Sequence, residues 1–200
     1  HAMASDLSGL TIKDEHLRRA LEGQEYLLVD GAMGTQMQER GLDALEAVPE
    51  LLCKTHAHDI AAIHAAYIAA GAEVITTNTF SANRLKLGDK MSVAEAYRLA
   101  ADCARAAGAP YIAGDIGPTG SLLEPMGTLS FDEAYGIFAE QVRAAVAAGC
   151  DIILIETMAD LREAKAALLA ARENSTLPVF VTMTFGEDGR TFLGTTPEIA

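Results

Sequence analysis

Three carboxylates stand where short apolar runs of this 200-residue chain turn polar: Asp30 after Leu27-Leu28-Val29, Asp115 after Tyr111-Ile112-Ala113-Gly114, and Glu156 after Ile152-Ile153-Leu154-Ile155. Neighbouring run ends carry amides, hydroxyls and glycines: Gly31-Ala32-Met33-Gly34, Thr76-Thr77-Asn78-Thr79-Phe80, Gly117-Pro118 and Thr182-Met183-Thr184-Phe185. None of these positions is Lys or Arg. A phosphorylated ligand calls for cations or an anion nest, so an acidic rim with amide and hydroxyl groups suits a ligand bearing an ammonium. Each acid also has a plainer reading. Asp30 before Gly31 is a common turn pair, and Asp115 could simply shape the glycine-rich stretch Gly114–Gly120, which matches neither a P-loop nor a dinucleotide fingerprint. Glu156 closes the most apolar run, where a buried carboxylate needs a partner or a ligand.

Other groups that could do chemistry do not assemble. His56, His58 and His64 fall close together, but His58 and His64 do not share a helical face, and His56 and His58 flank a helix start. Cys53, Cys103 and Cys150 are widely spaced and odd in number, which fits a reducing compartment better than a disulfide framework. No zinc site can be built from them.

The elements that must position the acids are announced by a recurring phrase. Ala69-Ala70-Gly71-Ala72, Ala106-Ala107-Gly108-Ala109 and Ala147-Ala148-Gly149-Cys150 return at intervals of roughly forty residues, a supersecondary period. Each phrase closes an Ala-rich helical pattern and precedes a β-branched run, so each Gly is placed to end a helix. Strands are predicted at 26–30, 73–77, 111–115, 151–156 and 179–184, and helices at 13–22, 57–70, 92–107, 132–148 and 161–173. The strand interiors are runs rather than alternations, as in parallel strands covered on both faces. Ser130 with Glu133 and Ser92 with Glu95 have capping-box spacing. Thr195-Thr196-Pro197-Glu198 reads as a further helix start.

This pattern predicts an α/β chain forming the N-terminal portion of a (β/α)8 TIM barrel, with about five βα units. A complete doubly wound five-stranded sheet is the alternative. Residues 1–8, opening His1-Ala2-Met3-Ala4-Ser5, read as a tag remnant and leader, and residues 9–200 as the barrel portion. In a parallel barrel the carboxyl ends of the strands build the active site, so the acids would share one face.

Composition narrows the function. With 15 Lys+Arg against 28 Asp+Glu the net charge is −13, and aromatics are 6% with no Trp, which disfavours nucleic acid as a partner. No run approaches the roughly 18 apolar residues of a membrane span, and no basic-then-apolar leader is present. The expected location is cytoplasmic.

Four motifs in order, Leu28-Val29-Asp30-Gly31-Ala32-Met33-Gly34-Thr35, Thr77-Asn78-Thr79-Phe80-Ser81-Ala82-Asn83-Arg84-Leu85-Lys86-Leu87, Gly114-Asp115-Ile116-Gly117-Pro118-Thr119-Gly120 and Ile155-Glu156-Thr157-Met158, resemble the homocysteine S-methyltransferase family. The second is most similar to the homocysteine-binding domain of cobalamin-dependent methionine synthases. The resemblance implies a (β/α)8 barrel that binds homocysteine and zinc at its carboxyl face. It implies that Asp30, the Gly31-Ala32 backbone, Asn78, Thr79 and Glu156 hold the amino acid's ammonium and carboxylate, with Asp115 and Thr184 lining the pocket. It further implies a thiol activated by zinc on three cysteine thiolates, one after a sixth strand and a pair near the barrel's end, and a methyl group delivered from cobalamin by separate folate and cobalamin domains. Those ligands are expected beyond residue 200, so these residues would hold much of the substrate half-site, no metal ligand, and no methyl transfer alone. Betaine or S-methylmethionine as donor, and a non-catalytic truncated fragment, are the alternatives.

Overall fold

The computed structural model describes residues 6–200; residues 1–5 of the expected tag remnant lie outside the described residues. Helices α1 (Glu15–Leu21), α2 (Met33–Glu39), α3 (Leu52–Thr55), α4 (Ala57–Ala69), α5 (Arg84–Leu87), α6 (Val93–Ala106), α7 (Phe131–Ala147) and α8 (Leu161–Asn174) alternate, from α4 onward, with strands β1 (Val74–Thr76), β2 (Tyr111–Ile116), β3 (Ile152–Met158) and β4 (Val179–Met183). A single 3-10 turn, Pro49–Leu51, precedes α3.

The helix ends follow the sequence signals. Gly71, Gly108 and Gly149 have φ of 105°, 82° and 82°, the left-handed region that lets a chain leave a helix without a Cβ clash. Ser130 and Glu133 form a reciprocal capping box on α7, whereas at α6 only the Ser92 side chain accepts, from the Glu95 N–H. The predicted start at Thr195–Glu198 makes one turn, with the N–H groups of Ile199 and Ala200 both donating to Thr196 O at 3.1 Å.

All strand pairs are parallel and the sheet order is β1-β2-β3-β4. A doubly wound sheet reverses direction at a switch point; this one does not, and winds one way as a barrel does. The first predicted strand, 26–30, is instead an isolated bridge, Val29 to Val74. It stands at the sheet edge, and one of its backbone donors is diverted: Leu28 N–H bonds to the Glu73 carboxylate at 3.1 Å rather than to a carbonyl. Five strands were expected; four form among the described residues, and the first is reduced to the Val29–Val74 bridge.

Period-2 alternation sorts the strand residues onto two faces. Ile75, Ile112, Ile116, Ile153 and Ile155 point outward into a core shared with Ala96, Tyr97 and Ala104 of α6, Phe138, Val142 and Ala145 of α7, and Ala167 and Ala171 of α8. Full burial of a side chain the size of Phe138 contributes about 1.5–3 kcal/mol. The inner face carries Val74, Tyr111, Ala113 and Ile152, closed from the amino-terminal side by Leu17 of α1. Asp14 fixes that helix, accepting from Leu17 N–H at 2.9 Å and from the Tyr111 hydroxyl at 2.8 Å. Above this plug the inner face is open, and the expectation of strands covered on both faces fails at the edge strand β4, where Phe180 on the inner face and Val181 on the outer face are both exposed.

Candidate functional site

A cavity of about 730 Å³ runs along the open inner face, from Ala20, Glu25, Val74 and Ile152 near the plug up to the carboxyl ends of the strands. Its wall takes Thr76 from β1, Asp115 from β2, Leu154 and Glu156 from β3, and Phe180 and Thr182 from β4, with residues 29–33 across the edge. Six of the eight residues singled out from sequence border it: Asp30, Gly31, Ala32, Asn78, Asp115 and Glu156. Thr79 and Thr184 do not. Thr79 is fully buried and donates its hydroxyl hydrogen to Asp115 O at 2.8 Å. Thr184 lies one residue past β4, where its N–H makes a last bond to Met158 O of β3 at 2.8 Å. Thr182, two residues earlier, has the inward parity while the strand still runs.

Each acid is set by its own element. Asp30 follows the Val29 bridge, and its carboxylate accepts from both the N–H (3.0 Å) and the hydroxyl of Thr76. Gly31 lies against the Tyr67 ring, where a Cβ would come 2.9 Å from the hydroxyl; that hydroxyl donates to Ala32 O at 2.9 Å and fixes the segment. Glu156 sits at a register shift between β3 and β4, next to Thr157, whose φ of 61° is strained for a β-branched residue. Such an irregularity re-aims a side chain at a strand end. Asp115 is anchored through its backbone: its carbonyl accepts from the hydroxyls of Thr79 and Tyr97 (2.7 Å), and its N–H donates to Thr77 Oγ1 at 3.1 Å. Asn78 donates from Nδ2 to Pro49 O at 2.9 Å and approaches Cys53 Sγ at 3.7 Å.

The acids repel one another in a half-dry space. Burial pushes the Asp30 carboxyl up to about 6, against the Thr76 hydrogen bonds that lower it, and the charge of Glu156 adds to the rise. Burial drives Asp115 well above the carboxylate range, reinforced by Glu156 and then Asp30; its Oδ1 is buried with no hydrogen-bond partner. A cationic ligand relieves these repulsions, and an anion compounds them.

Behind the wall, Gly117 lies so close to Phe80 that a Cβ would meet the Phe80 carbonyl oxygen at 2.6 Å and its ring at 2.7 Å. The Gly117 N–H donates to that carbonyl at 3.1 Å. Glu163 of α8 accepts from the Thr119 N–H (3.2 Å) and hydroxyl (3.1 Å), tying down the glycine-rich loop, and Glu50 accepts from Ser81 N–H at 2.7 Å. Sequence reasoning placed Thr76 among the polar run ends without assigning it to the site, and passed over Tyr67, Glu50 and Glu163. Thr76 had a usable signal, lying two residues from Val74 on the inward face, whereas the other three act across long sequence separations.

No group of three His, Cys, Asp or Glu suited to a metal occurs among the described residues. His56 precedes α4, and His64 within it is buried with neither ring nitrogen hydrogen-bonded, burial lowering it to about 4. Cys53 and Cys103 lie on α3 and α6, outside the sheet, and Cys150 precedes β3 at the end opposite the cavity. No helix among the described residues is long and apolar enough to cross a membrane.

Comparison with known proteins bears on this arrangement. The family model described as homocysteine S-methyltransferase matches residues 27–200. The methionine synthase of Mycobacterium leprae (strain TN) is 32% identical over 192 residues, covering 86% of this chain and 16% of that protein. That of Mycobacterium tuberculosis (strain ATCC 25618 / H37Rv) is 32% identical over 211 aligned residues, covering 92% and 18%. The chain thus spans less than a fifth of these relatives. Among solved structures, the homocysteine methyltransferase MmuM from Escherichia coli in its oxidized form superposes with a TM-score of 0.79 at 21% identity, covering 92% of this chain and 70% of that one. Its metallated form gives 0.72 at 23% identity, covering 91% and 71%. The four parallel strands and their outer helices therefore form part of a TIM barrel.

Proposed function

Because the chain belongs to the homocysteine S-methyltransferase family, we propose that it forms the amino-acid-binding part of a methionine synthase. In this reading Asp30 and Glu156 receive the α-ammonium of homocysteine, and Asn78 with the Gly31-Ala32 backbone takes its carboxylate. Asp115, whose carboxyl burial pushes well above the carboxylate range, borders the pocket beside Glu156. Thr79 acts only through the Asp115 backbone, and Thr184 is left out. The observation that carries the reading is the convergence of Asp30, Asp115 and Glu156 on one cavity with no Lys or Arg in its lining. Carboxylates match an ammonium, and amide and backbone N–H groups can hold a carboxylate without a cation.

The reaction proposed for the whole protein forms an S–CH3 bond on homocysteine as the bond between methyl and its carrier breaks. Methylcobalamin is the proposed donor, supported by the similarity of Asn78–Leu87 to cobalamin-dependent enzymes and by the 32% identity to mycobacterial methionine synthases. The residues of this chain do not fit the zinc that the resemblance implies, since no cysteine borders the cavity. Metal ligands and the folate and cobalamin domains are proposed to lie elsewhere in a longer protein, in keeping with the length of the relatives. The contribution of this chain is to bind and orient the amino-acid end of the substrate. Its free cysteines fit a cytoplasmic setting.

Calorimetric titration with L-homocysteine and with 4-mercaptobutanoate, which lacks the amino group, tests the reading. Loss of a charge-assisted hydrogen bond predicts at least about tenfold weaker binding of the des-amino compound. Equal affinities would refute the ammonium site. A donor screen on the full-length protein with methylcobalamin, S-methylmethionine and betaine tests the carrier.

A further inference from the structure

Glu50 is a buried carboxylate that stands behind the cavity rather than in its lining. It sits in the 3-10 turn Pro49–Leu51, only 2% exposed, where an apolar side chain would be the less costly occupant. Its Oε1 accepts from the Ser81 N–H at 2.7 Å, and its Oε2 is buried with no hydrogen-bond partner. Burial raises this carboxyl, and the Ser81 N–H and the Lys86 charge oppose the rise. What the one good hydrogen bond fixes must account for a group held at that cost.

The preceding residue of the turn grips the same loop. Pro49 O accepts from Asn78 Nδ2 at 2.9 Å, so two consecutive residues of the turn hold residue 78 by its side chain and residue 81 by its backbone. Cys53, on the helix that continues the turn, approaches the same Nδ2 at 3.7 Å. The loop's bonds to the other side are of a different kind. The Thr79 hydroxyl donates to Asp115 O at 2.8 Å, and Phe80 O accepts from the Gly117 N–H at 3.1 Å. Those bonds tie the loop to β2 and the residue after it, whereas the bond from Ser81 to Glu50 sets its distance from the turn and keeps Pro49 O within reach of the Asn78 amide.

We propose that Glu50 is a positioning residue that seats Asn78 in the cavity wall and so sets the preference of the site for thiols bearing a carboxylate beside the ammonium. The selectivity rests on the reading of Asn78 as a carboxylate contact; the seating does not. An Asn78 already pinned to Pro49 O meets the ligand without first being ordered, and losing that preorganisation weakens binding by about three- to tenfold. Asp30 and Glu156 lie on other elements, so their contact with the ammonium is untouched.

The test uses the 200-residue chain and three variants. Glu50→Met fills the same space without an acceptor, Glu50→Ala removes the acceptor without overpacking, and Glu50→Gln keeps an oxygen for the Ser81 N–H. Each is titrated calorimetrically with L-homocysteine and with 3-aminopropanethiol, which lacks the carboxylate, and the Asn78 side-chain amide signals are followed in a 1H–15N spectrum. Glu50→Met and Glu50→Ala should lose about three- to tenfold in homocysteine affinity, bind 3-aminopropanethiol as the parent does, and shift the Asn78 signals. Glu50→Gln should restore the parent's preference and signals, which a general loss of stability would not predict. Equal losses for the two thiols, Asn78 signals unmoved in the first two variants, or a Gln variant that behaves like them would overturn the proposal. The parent chain alone decides the functional reading: equal affinity for the two thiols, or binding of neither, would sink the carboxylate contact and leave the Asn78 signals to decide the seating by Glu50.

Discussion

Replacing Asp30 with Asn separates what the acid does for the fold from what it does for a ligand. Asp30 holds its proton more tightly folded, at about 6, than in an ordinary setting at 3.8. Its protonated form therefore favours the folded state: the contribution is fully present below pH 3.8 and is lost as pH rises through about 6. The rise corresponds to about 3 kcal/mol in all, of which about 2 kcal/mol is lost between pH 4 and pH 7. Asn cannot ionise, and it keeps one oxygen to accept from Thr76 while losing the second. That loss lowers stability equally at every pH and leaves the pH dependence untouched. The stability of Asp30→Asn relative to the parent chain should thus climb by about 2 kcal/mol from pH 4 to pH 7, allowing for relaxation of the neighbouring acids. Urea unfolding of both proteins at four pH values measures it, and groups that titrate alike in both cancel in the difference. A flat difference, or one falling with pH, would refute the placement of Asp30 in a dry acidic cavity. The same substitution should weaken homocysteine binding, a trade of stability against function.

Glu156→Gln should lower homocysteine affinity by about 10–100-fold, the worth of one charge-assisted contact, and bring the Asp115 carboxyl down toward its ordinary range; calorimetry and carboxyl NMR titration check both, and unchanged affinity counts against the role of Glu156. Gly117→Ala should destabilise by about 1–3 kcal/mol because its Cβ would meet the Phe80 carbonyl and ring, and a urea midpoint matching the parent would contradict that contact. Ser130→Ala should cost about 1 kcal/mol and Ser130→Gly only a few tenths, since a flexible N-cap substitutes partly for the lost hydroxyl; equal losses would argue against the capping box.

Much of the scaffold was legible because it is written locally. Gly71, Gly108 and Gly149 mark helix ends by a backbone need that no other residue meets as cheaply, and the caps at Ser92 and Ser130 are three-residue signals. Strand parity was legible too: Asp115 and Glu156 fall on the same inward face as Ala113 and Leu154. What failed was whatever depends on where a strand stops. Thr184 has the right parity but lies past the end of β4, and residues 26–30 make a bridge because Glu73 captures a backbone donor. Thr79 shares a motif with Asn78, yet its hydroxyl is used by the Asp115 carbonyl. The meeting of Pro49 and Glu50 with Asn78 and Ser81 is a product of packing between the 3-10 turn and the loop after β1, which no local pattern encodes.

The central claim is that carboxylates from successive strand ends make one pocket for an ammonium. A crystal structure of the chain grown with L-homocysteine tests it most directly. The account predicts the ligand nitrogen within hydrogen-bonding distance, roughly 2.7–3.2 Å, of both Asp30 and Glu156. A ligand whose carboxylate faces those two acids, or whose nitrogen points to solvent, would contradict it.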